Sequence, residues 1–448
     1  MSAPAAPQWT SRFGFLMAAV GFAVGLGNIW RFPYITGENG GGAFVVVYLL
    51  CALAIGVPFL IAEILIGRRG GMSPPGSMRN VAVAEGGSPA WANAGYLHLF
   101  TAFLISVVYL VVAGWVLAYL FEALTTGFAG TDAPAAKAAF DGFVADFGRL
   151  ALWAALVLGI SVVILYLGVQ GGIERTVRVL MPTLFALLVV LAIYNVFAGG
   201  FGEAVAYLFT PDFSKVSASM LLAAIGQAFF SIGVGMAGMM TFGAYLPADV
   251  SIARSALIIV LADTAVALTA GLVIFPAVFS YGLDPGGGAG LIFQTLPVAF
   301  AQMPAGHLVS ALFFLLLTVA AITSLVGLLE SLVAWLCFSM TLSRHAASLL
   351  VGVVVGLFSV VSMLSYNVWA DVSVFGWPLE KALDFVPNGI TLPLGGFLIA
   401  IFVGWAVRRE TAAAELDLGP SAFRVWHGLI RYLAPLAVVV VLVMGFSG

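Results

Sequence analysis

The residues of this chain most able to take part in chemistry are polar side chains inside long apolar segments. Glu63, Asp263 and Glu330 are such residues, and Thr323 and Ser324 stand side by side in the same segment as Glu330. A charge near the centre of a bilayer costs at least ~2.5–3.5 kcal/mol on insertion scales, so each carboxylate needs a partner or a bound ion. Asp263 has no Lys or Arg close to it in sequence, and a bound cation would satisfy it. We interpret Glu63 as an acceptor for unwound backbone amides and Glu330 as a partner in a helix–helix hydrogen bond.

The adjacent hydroxyls of Thr323 and Ser324 have two interpretations. In a membrane helix such hydroxyls usually bond back to carbonyls of their own helix. Alternatively they are hard oxygen ligands, which suit Na⁺ better than a transition metal.

The composition places these residues in a membrane. Of the 448 residues, 62% are hydrophobic and 8% are charged, and the mean hydropathy is +1.13. A soluble domain is typically ~45–50% apolar and ~25% charged. The chain is therefore predicted to be an all-α membrane protein with many spans, which makes the lipid bilayer its first partner.

Several function classes are excluded by what the sequence lacks. The net charge of −3 comes with no basic tract and no Cys/His cluster, so no nucleic-acid partner is expected. The metalloprotease pattern His-Glu-x-x-His and the hydrolase pattern Gly-x-Ser-x-Gly are absent, and the four histidines are scattered, so no enzyme is expected. The two cysteines, Cys51 and Cys337, lie in apolar stretches and are interpreted as small core residues.

Eleven apolar runs are long enough to cross a bilayer as helices, and together they are predicted to form a single transmembrane domain over residues 1–448. The predicted spans are 13–36, 42–67, 97–124, 150–168, 176–197, 218–246, 254–281, 306–338, 346–366, 388–407 and 425–446. The first run is followed by ten others and carries polar residues near its far end, so we interpret it as a retained helix rather than a signal peptide.

Lys and Arg alternate between loops in a way that predicts the orientation. With the N-terminus in the cytoplasm, the inner loops hold Arg12, Arg68, Arg69, Arg79, Arg175, Arg178, Arg254, Arg344, Arg408, Arg409, Arg424 and Arg431. The outer side keeps mainly Lys137, Arg149, Lys215 and Lys381. The odd number of spans then places the C-terminus outside. Two outer loops, 282–305 and 367–387, are predicted to fold back toward a cavity, although Trp369 and Trp377 in the second also fit an interfacial aromatic belt.

Glycines interrupt spans 1 and 6 at comparable places, in 21–28 and 229–238. A backbone group freed in lipid costs several kcal/mol unless protein or a ligand satisfies it, so two matched breaks favour an internal binding site. Close helix packing at glycine is the alternative. The offset of five helices predicts an inverted repeat, with about 13–197 against about 218–407 and an extra helix at about 425–446.

Short motifs spread in order along nearly the whole chain resemble the signature of the neurotransmitter:sodium symporter family. They are Gly25-Leu26-Gly27-Asn28-Ile29-Trp30-Arg31-Phe32-Pro33, Glu38-Asn39-Gly40-Gly41-Gly42-Ala43-Phe44, Gly172-Ile173-Glu174-Arg175, Met181-Pro182-Thr183-Leu184-Phe185, Thr210-Pro211-Asp212-Phe213 and Gly226-Gln227-Ala228-Phe229-Phe230. The resemblance implies the leucine-transporter fold, with broken helices 1 and 6, and alternating access driven by Na⁺.

The resemblance also implies two sodium sites and a substrate site at the breaks. Sodium site one would use Ala23, Asn28, Ser231 and Asp263, together with the substrate carboxylate. Sodium site two would use Gly21, Val24, Ala320, Thr323 and Ser324. The substrate would be held by Ala23, Gly27, Ile105, Tyr109, Phe230, Ser231, Gly233, Met236, Ser324 and Leu328, with Arg31 and Asp384 as the outer gate.

Two departures from the family pattern refine the expected function. Monoamine carriers have an aspartate where this chain has Gly25, so the substrate should bring its own carboxylate. Chloride-dependent members have an asparagine and a serine where this chain has Asp263 and Ala267, so transport is expected to be chloride-independent. The uncharged pocket, with the pliable Met236, predicts aromatic or branched aliphatic amino acids.

A third departure concerns the inner gate. The arginine and aspartate of the family's ion pair correspond here to Ala6 and Phe338, so closure is assigned instead to Trp9, Arg12 and Tyr245. The sequence therefore predicts a sodium-coupled symporter for hydrophobic L-amino acids in a bacterial inner membrane, with the preferred amino acid, ion stoichiometry and oligomeric state open. A membrane sensor or substrate-gated channel on the same fold is the alternative.

Overall fold

Helices that cross the membrane follow one another in the predicted order, and two of the spans are broken. The structure, a computed structural model, describes residues 7–285, 290–374 and 376–445. Within these residues, nine helices are long and apolar enough to cross a bilayer, and the bent pair Arg12–Ala23 and Gly27–Glu38 forms span 1. Span 6 consists of two shorter helices, Ala218–Ile232 and Gly238–Ala244.

The nine long helices are spans 2–5 and 7–11. In chain order they are Gly42–Gly70, Pro89–Thr125, Phe147–Tyr166, Val169–Ala198, Ile252–Ser280, Gly306–Ser339, Arg344–Leu364, Leu379–Ala406 and Pro420–Val443. Shorter elements connect them: the helices Pro74–Ala84, Ala133–Ala145, Phe201–Phe209, Leu291–Thr295, Leu296–Gln302 and Arg409–Leu416, and the antiparallel strands Ser373–Val374 and Trp377–Pro378.

The helices of spans 10 and 11 begin earlier than predicted, at Leu379 and Pro420 rather than at 388 and 425. The first turns of span 10 carry Glu380, Lys381 and Asp384, which lower the local hydropathy without preventing a helix. A criterion based on apolar runs therefore finds the part of a helix in lipid and misses its polar end.

The first helix of span 1 has a capped start and ends after only twelve residues, which produces the break. The side chain of Ser11 accepts a hydrogen bond from the backbone N of Gly14, which fixes the start of the helix Arg12–Ala23. Val24 then leaves helical geometry, with φ −74° and ψ 96°, and the chain resumes as a helical turn at Gly27–Arg31. The two halves are bent by 49°.

The break in span 6 depends on glycine in left-handed backbone conformation. Gly233 has φ +73° and Gly235 has φ +82°, a region that glycine enters without a steric penalty. Ala237 also has a positive φ, of 64°, which is uncommon for a residue with a side chain. This segment therefore separates the two helices instead of joining them.

Spans 3 and 8 pack together at the centre of the bundle, and 89% of the most apolar window of span 8 is buried. Spans 4 and 5 are peripheral, with 33% of the corresponding window buried, and expose aliphatic side chains as expected of a lipid-facing surface.

The connections 71–88, 245–251 and 407–419 meet at one end of the bundle, which we call the arginine-rich side. The other end is the opposite side.

The loop 282–305, at the opposite side, was predicted to fold back, and its described part does so. It forms the helices Leu291–Thr295 and Leu296–Gln302, whose apolar residues Leu291, Ile292 and Phe293 are buried. The glycines 286–288 of this predicted cap lie outside the described residues. The second loop predicted to fold back, 367–387, supplies the two short strands and the start of span 10.

Candidate ion and substrate site

Three polar side chains meet at the break of span 1, and all three are buried. The amide nitrogen of Asn28 donates to Asp263 Oδ1 at 2.7 Å and to Ser231 Oγ at 2.9 Å. Ser231 Oγ donates to Asp263 Oδ2 at 2.6 Å. The predicted members of sodium site one from spans 1, 6 and 7 are thus brought into contact, and Ala23, which ends the first helix of span 1, lies buried nearby in sequence.

Sequence reasoning missed two further residues of this cluster. The hydroxyl of Tyr48, from span 2, lies 3.5 Å from both Ser231 Oγ and Asp263 Oδ2. Gln227 belongs to a motif noted above, and its side-chain nitrogen donates to the carbonyl of Gly27 at 2.9 Å. A single tyrosine in an apolar run gives no indication that it faces a site. Gln227 could have been identified, because a polar residue inside a membrane span needs a partner.

The second group joins span 8 to the end of the first helix of span 1. Ser324 Oγ lies 3.1–3.3 Å from the carbonyl oxygens of Gly21, Phe22 and Val24. Thr323 Oγ1 donates within its own helix, to Val319 O at 3.0 Å and to Ala320 O at 3.1 Å. Of the two interpretations of this pair, back-bonding describes Thr323, while the Ser324 hydroxyl crosses to the broken helix.

Side chains satisfy backbone groups that the two breaks set free. The backbone N of Gly25 donates to Asn28 Oδ1 at 3.1 Å, and that of Leu26 donates to Tyr109 OH at 3.3 Å. In span 6, the backbone N of Gly235 donates to Glu63 Oε1 at 2.6 Å. The interpretation of Glu63 as a brace for unwound backbone agrees with this contact.

The donor set fits a small hard cation. Asp263 is fully buried, and its hydrogen-bond partners are Asn28, Ser231 and Tyr48, none of which carries a positive charge. A carboxylate so placed is compensated best by a bound cation. Carboxylate, hydroxyl and carbonyl oxygens are ligands for ions such as Na⁺ rather than for transition metals.

A cavity of about 750 Å³ begins beside the break of span 1, at Leu26 and Gly27, and extends to the opposite side. It is lined by the predicted substrate residues Gly27, Ile105, Tyr109 and Phe230, and it reaches the exposed residue Lys381. The other predicted substrate residues do not line it: Ala23, Ser231, Gly233, Met236, Ser324 and Leu328. Met236 and Leu328 are buried instead, with 5% and 2% exposure.

The position of Gly25 leaves no room for a side chain. A Cβ atom added there would lie 2.6 Å from Ser324 Oγ and 3.1 Å from Tyr109 OH. A side chain at this position would require Ser324 to shift, and with glycine there the site holds no internal carboxylate for a substrate amine.

Arg31 and Asp384, the predicted outer gate, both line the cavity but are held apart. The Arg31 guanidinium carbon lies 4.5 Å from the centre of the Phe230 ring, and Asp384 Oδ1 accepts from Asn388 at 2.8 Å. Among the described residues the two form no salt bridge, and the cavity between them remains open to the surface.

The arginine-rich side is closed by aromatic packing and a buried ion pair. Trp9 is buried, and its indole nitrogen donates to the carbonyl of Phe242 at 3.0 Å. Tyr245 OH donates to Glu330 at 2.8 Å, and Glu330 forms a salt bridge with Arg344. The predicted closing residues Trp9 and Tyr245 lie together, with 6.1 Å between their ring centres. For Arg12, the third predicted closing residue, the side-chain Nε atom is buried and has no hydrogen-bond partner in the part of the chain described. Ala6 lies outside that part.

Glu330 thus receives more partners than the single helix–helix hydrogen bond expected of it. Arg344 begins span 9, fourteen positions further along the chain, and no spacing rule for one helix relates it to Glu330. Glu174, which belongs to a motif noted above but was given no role, accepts from the backbone N of Thr10 at 3.0 Å and pairs with Arg178 at 2.6 Å. It ties the N-terminal segment to span 5.

Outside the membrane, Glu85 joins two connections of the arginine-rich side. It pairs with Arg69 at 3.1 Å and with Arg408 at 2.8 Å, and its side chain is 1% exposed. Burial acts to raise the pKa of Glu85, but hydrogen bonds from Arg408 and Thr411 and the charge of Arg408 hold the pKa below its ordinary value.

A bundle of membrane spans, two of them broken around a buried oxygen-rich centre that a cavity reaches, defines a membrane transporter rather than an enzyme. The model of the sodium:neurotransmitter symporter family matches residues 6–138 and 135–447. The chain belongs to this family and is a sodium-dependent transporter with many membrane spans.

Individual relatives agree with this assignment. The chain is 35% identical to YhdH, a sodium-dependent transporter of Bacillus subtilis (strain 168), over 97% of this chain and 96% of the relative. It is 28% identical to a sodium-dependent transporter of Methanocaldococcus jannaschii, over 95% and 87% of the two chains. The crystal structure of MhsT in complex with L-phenylalanine is similar with a TM-score of 0.90 and 42% identity, over 98% of this chain and 100% of that one.

Proposed function

We propose that the protein is a symporter that couples Na⁺ entry to the uptake of hydrophobic L-amino acids. The observation that carries this proposal is the absence of an internal acid at Gly25, where a Cβ atom already meets Ser324 and Tyr109. A substrate must therefore supply its own carboxylate. The lining of the cavity by Ile105, Phe230 and Trp115 favours an apolar side chain. MhsT, 42% identical, was crystallised with L-phenylalanine, which supports the same substrate class.

Two sodium sites follow from the clusters at the breaks. Site one is assigned to the Ala23 carbonyl, Asn28, Ser231 and Asp263, with the substrate carboxylate completing it. Site two is assigned to Ser324 and Thr323 with carbonyls of Gly21, Val24 and Ala320. Contacts of 2.6–2.9 Å in the first cluster and 3.1–3.3 Å in the second support these assignments.

The substrate lies between the two sites in this proposal. Its carboxylate meets Tyr109, whose hydroxyl already accepts from the backbone N of Leu26, at the start of a half-helix with its positive dipole end. Phe230 closes above the substrate, and Arg31, which now lies over the Phe230 ring, moves with it toward Asp384.

Transport is proposed to be independent of chloride. Asp263 places a fixed negative charge next to Ser231 and Tyr48, where a carrier with a neutral residue would need an anion to balance Na⁺. Ala267, one helical turn further along span 7, is fully buried and offers no hydroxyl to hold one.

The arginine-rich side is assigned to the cytoplasm by the positive-inside rule, with the N-terminus inside and the C-terminus outside. The host membrane is proposed to be a bacterial inner membrane. The cavity then opens outward while Trp9, Tyr245 and the Glu330–Arg344 pair close the inner side, which is one of the two states that alternating access requires. The repeat boundaries of about 13–197 and 218–407 belong to the same proposal.

Counterflow in proteoliposomes tests whether this protein is a carrier. Vesicles loaded with unlabelled leucine in NaCl are diluted into trace labelled leucine, and a carrier accumulates label transiently through exchange. A sensor binds leucine without exchange, and a substrate-gated channel equilibrates label without an overshoot. Either result, with leucine and with tryptophan, would refute the symporter proposal.

A further inference from the structure

Span 7 contains a proline inside its helix, and a side chain of span 5 compensates for it. Pro276 is buried and has no backbone N–H, so the carbonyl of Leu272, four positions earlier, lacks its donor within the helix. A carbonyl freed inside a membrane needs another partner. The side-chain nitrogen of Asn195 donates to Leu272 O at 3.2 Å and to Val273 O at 2.7 Å. Asn195 is 3% exposed, so water does not compete for this contact.

The end of span 5 also contacts both ends of the loop 282–305. Gly200, just beyond span 5, lies so close to the end of span 7 that an added Cβ atom would be 2.5 Å from the carbonyl oxygen of Pro276. Tyr194, next to Asn195, donates from its hydroxyl to the carbonyl of Pro304 at 2.5 Å. Span 5 is therefore packed against the chain where this loop begins and where it ends.

The loop carries the helices Leu291–Thr295 and Leu296–Gln302, which we call the cap helices. The ring of Phe293 in the first of them packs edge-on against Trp30 and Trp115, with 5.7 Å between ring centres in both contacts. Both tryptophans line the cavity that opens to the opposite side. The position of the cap helices therefore affects the shape of the cavity.

Pro276 divides span 7 into two parts. Helices bend most sharply at proline, so the joint between the parts is the flexible point of the span. The part before Pro276 carries Asp263, thirteen positions away and roughly 20 Å along the helix at 1.5 Å per residue. The part after Pro276 ends at Ser280 and leads to the cap helices. Because Asn195 binds two carbonyls at the joint, it fixes the angle between the two parts.

We propose that Asn195 is a positioning residue for transport, which holds the joint of span 7 against span 5 and thereby places the cap helices at the cavity. This inference rests on the proposed function. When the cavity closes in the proposed cycle, the contact makes the joint move together with span 5. The ion and substrate centre at Asp263 is distant from the joint, so Asn195 acts on the rate of transport and not on binding.

The first test compares the wild type with Asn195→Leu, which is similar in size but has no hydrogen-bond donor. Equilibrium binding of labelled leucine in Na⁺ is measured on purified protein, and the maximal rate of uptake is measured in vesicles. Binding should be unchanged. The maximal rate should fall about tenfold, the factor expected when one buried hydrogen bond is lost from a rate-limiting state. Asn195→Ser, which keeps a donor on a shorter side chain, should lose less.

The second test repeats Asn195→Leu in a Pro276→Ala background. Alanine restores a backbone N–H that can donate to Leu272 O, so Asn195→Leu should then change the maximal rate by less than about twofold. Asn367→Leu is the matched control, since Asn367 also donates to two carbonyls, those of Val144 and Met363, both at 3.1 Å and neither in span 7. It should change the rate by the same factor in both backgrounds.

Thermal unfolding of the same proteins should give the same pattern in melting temperature, which does not depend on the transport rate of Pro276→Ala. Asn195→Leu should lower the melting temperature by less in the Pro276→Ala background than in the wild type. Equal effects of Asn195→Leu in the two backgrounds, or a parallel loss of leucine binding and uptake, would overturn the inference. Failure of the wild type to bind or accumulate any amino acid would instead refute the proposed function.

Discussion

Asp263 supplies the negative charge at the centre of the site, and amide and hydroxyl groups surround it. Asn28, Ser231 and Tyr48 contact its two oxygens, and all of these residues are buried. Such a charge is stable in the membrane when a cation shares the site. In the proposed function, the coupling ion and the fixed charge of Asp263 therefore form one unit.

Moving the negative charge from Asp263 to a bound chloride ion should make stabilisation by Na⁺ depend on chloride. Asp263→Asn keeps the shape of the side chain but removes its charge, so Na⁺ should raise the melting temperature of the purified protein by less than in the wild type, through the second proposed site alone. Adding Ala267→Ser should restore the full stabilisation by Na⁺, and only when chloride is present. The measurement is thermal unfolding in Na⁺ or K⁺ salts of chloride or gluconate. Equal stabilisation of Asp263→Asn and wild type by sodium gluconate would contradict this role of Asp263.

Polar residues inside spans made much of the site predictable at this scale. Asp263 and Ser324 stand out because a polar group in an apolar helix needs a reason to be there. Tyr48 was not predictable, since it resembles an ordinary core residue in sequence and contacts the site only through Ser231 of span 6 and Asp263 of span 7. These partners are distant in sequence, and local composition carries no information about them.

At the scale of elements, the breaks in spans 1 and 6 were predictable from clustered glycine, and the positive φ angles of Gly233 and Gly235 give the reason. The short helices Ala133–Ala145 and Phe201–Phe209 were not anticipated, because each is too short to register as a span. The ion pair that closes the arginine-rich side was also missed, since Glu330 and Arg344 belong to different helices.

This ion pair should be coupled strongly enough to measure. Glu330 is fully buried, so Arg344→Gln leaves its carboxylate without a cation and should destabilise the protein by about 3–5 kcal/mol. The double variant Glu330→Gln/Arg344→Gln should be clearly more stable than Arg344→Gln, because no charge is then left unpaired. Thermal unfolding of the purified variants measures both effects. Additive losses in the double variant would show that the two residues act independently.

The contacts of Glu85 should make the arginine-rich side sensitive to acid. The pKa of Glu85 is held below its ordinary value in the folded protein, so its contribution to stability is present above the ordinary value and is lost as the pH falls through the lowered one. Glu85→Gln lacks this contribution at every pH. The difference in melting temperature between wild type and Glu85→Gln should therefore be larger at pH 7 than at pH values below 4.5, the ordinary value. A constant difference over this range would contradict the ionic role of Glu85.

At the scale of the whole molecule, the two ends of the bundle differ. The cavity connects the site to the opposite side, while Trp9, Tyr245 and Glu330 close the arginine-rich side. In the proposed symporter the two closures alternate, and ion and substrate travel together because both bind at the centre around Asp263. The order of spans that produces this arrangement was predictable from hydropathy, whereas which end is closed depends on packing between distant segments.

The most direct measurement of the central claim is uptake of labelled leucine into proteoliposomes under an inward Na⁺ gradient, with K⁺ as the control cation and gluconate in place of chloride. The account predicts accumulation above equilibrium that requires Na⁺, persists without chloride and is lost in Asp263→Asn. Uptake that reaches only equilibrium, or that stops when chloride is removed, would contradict it.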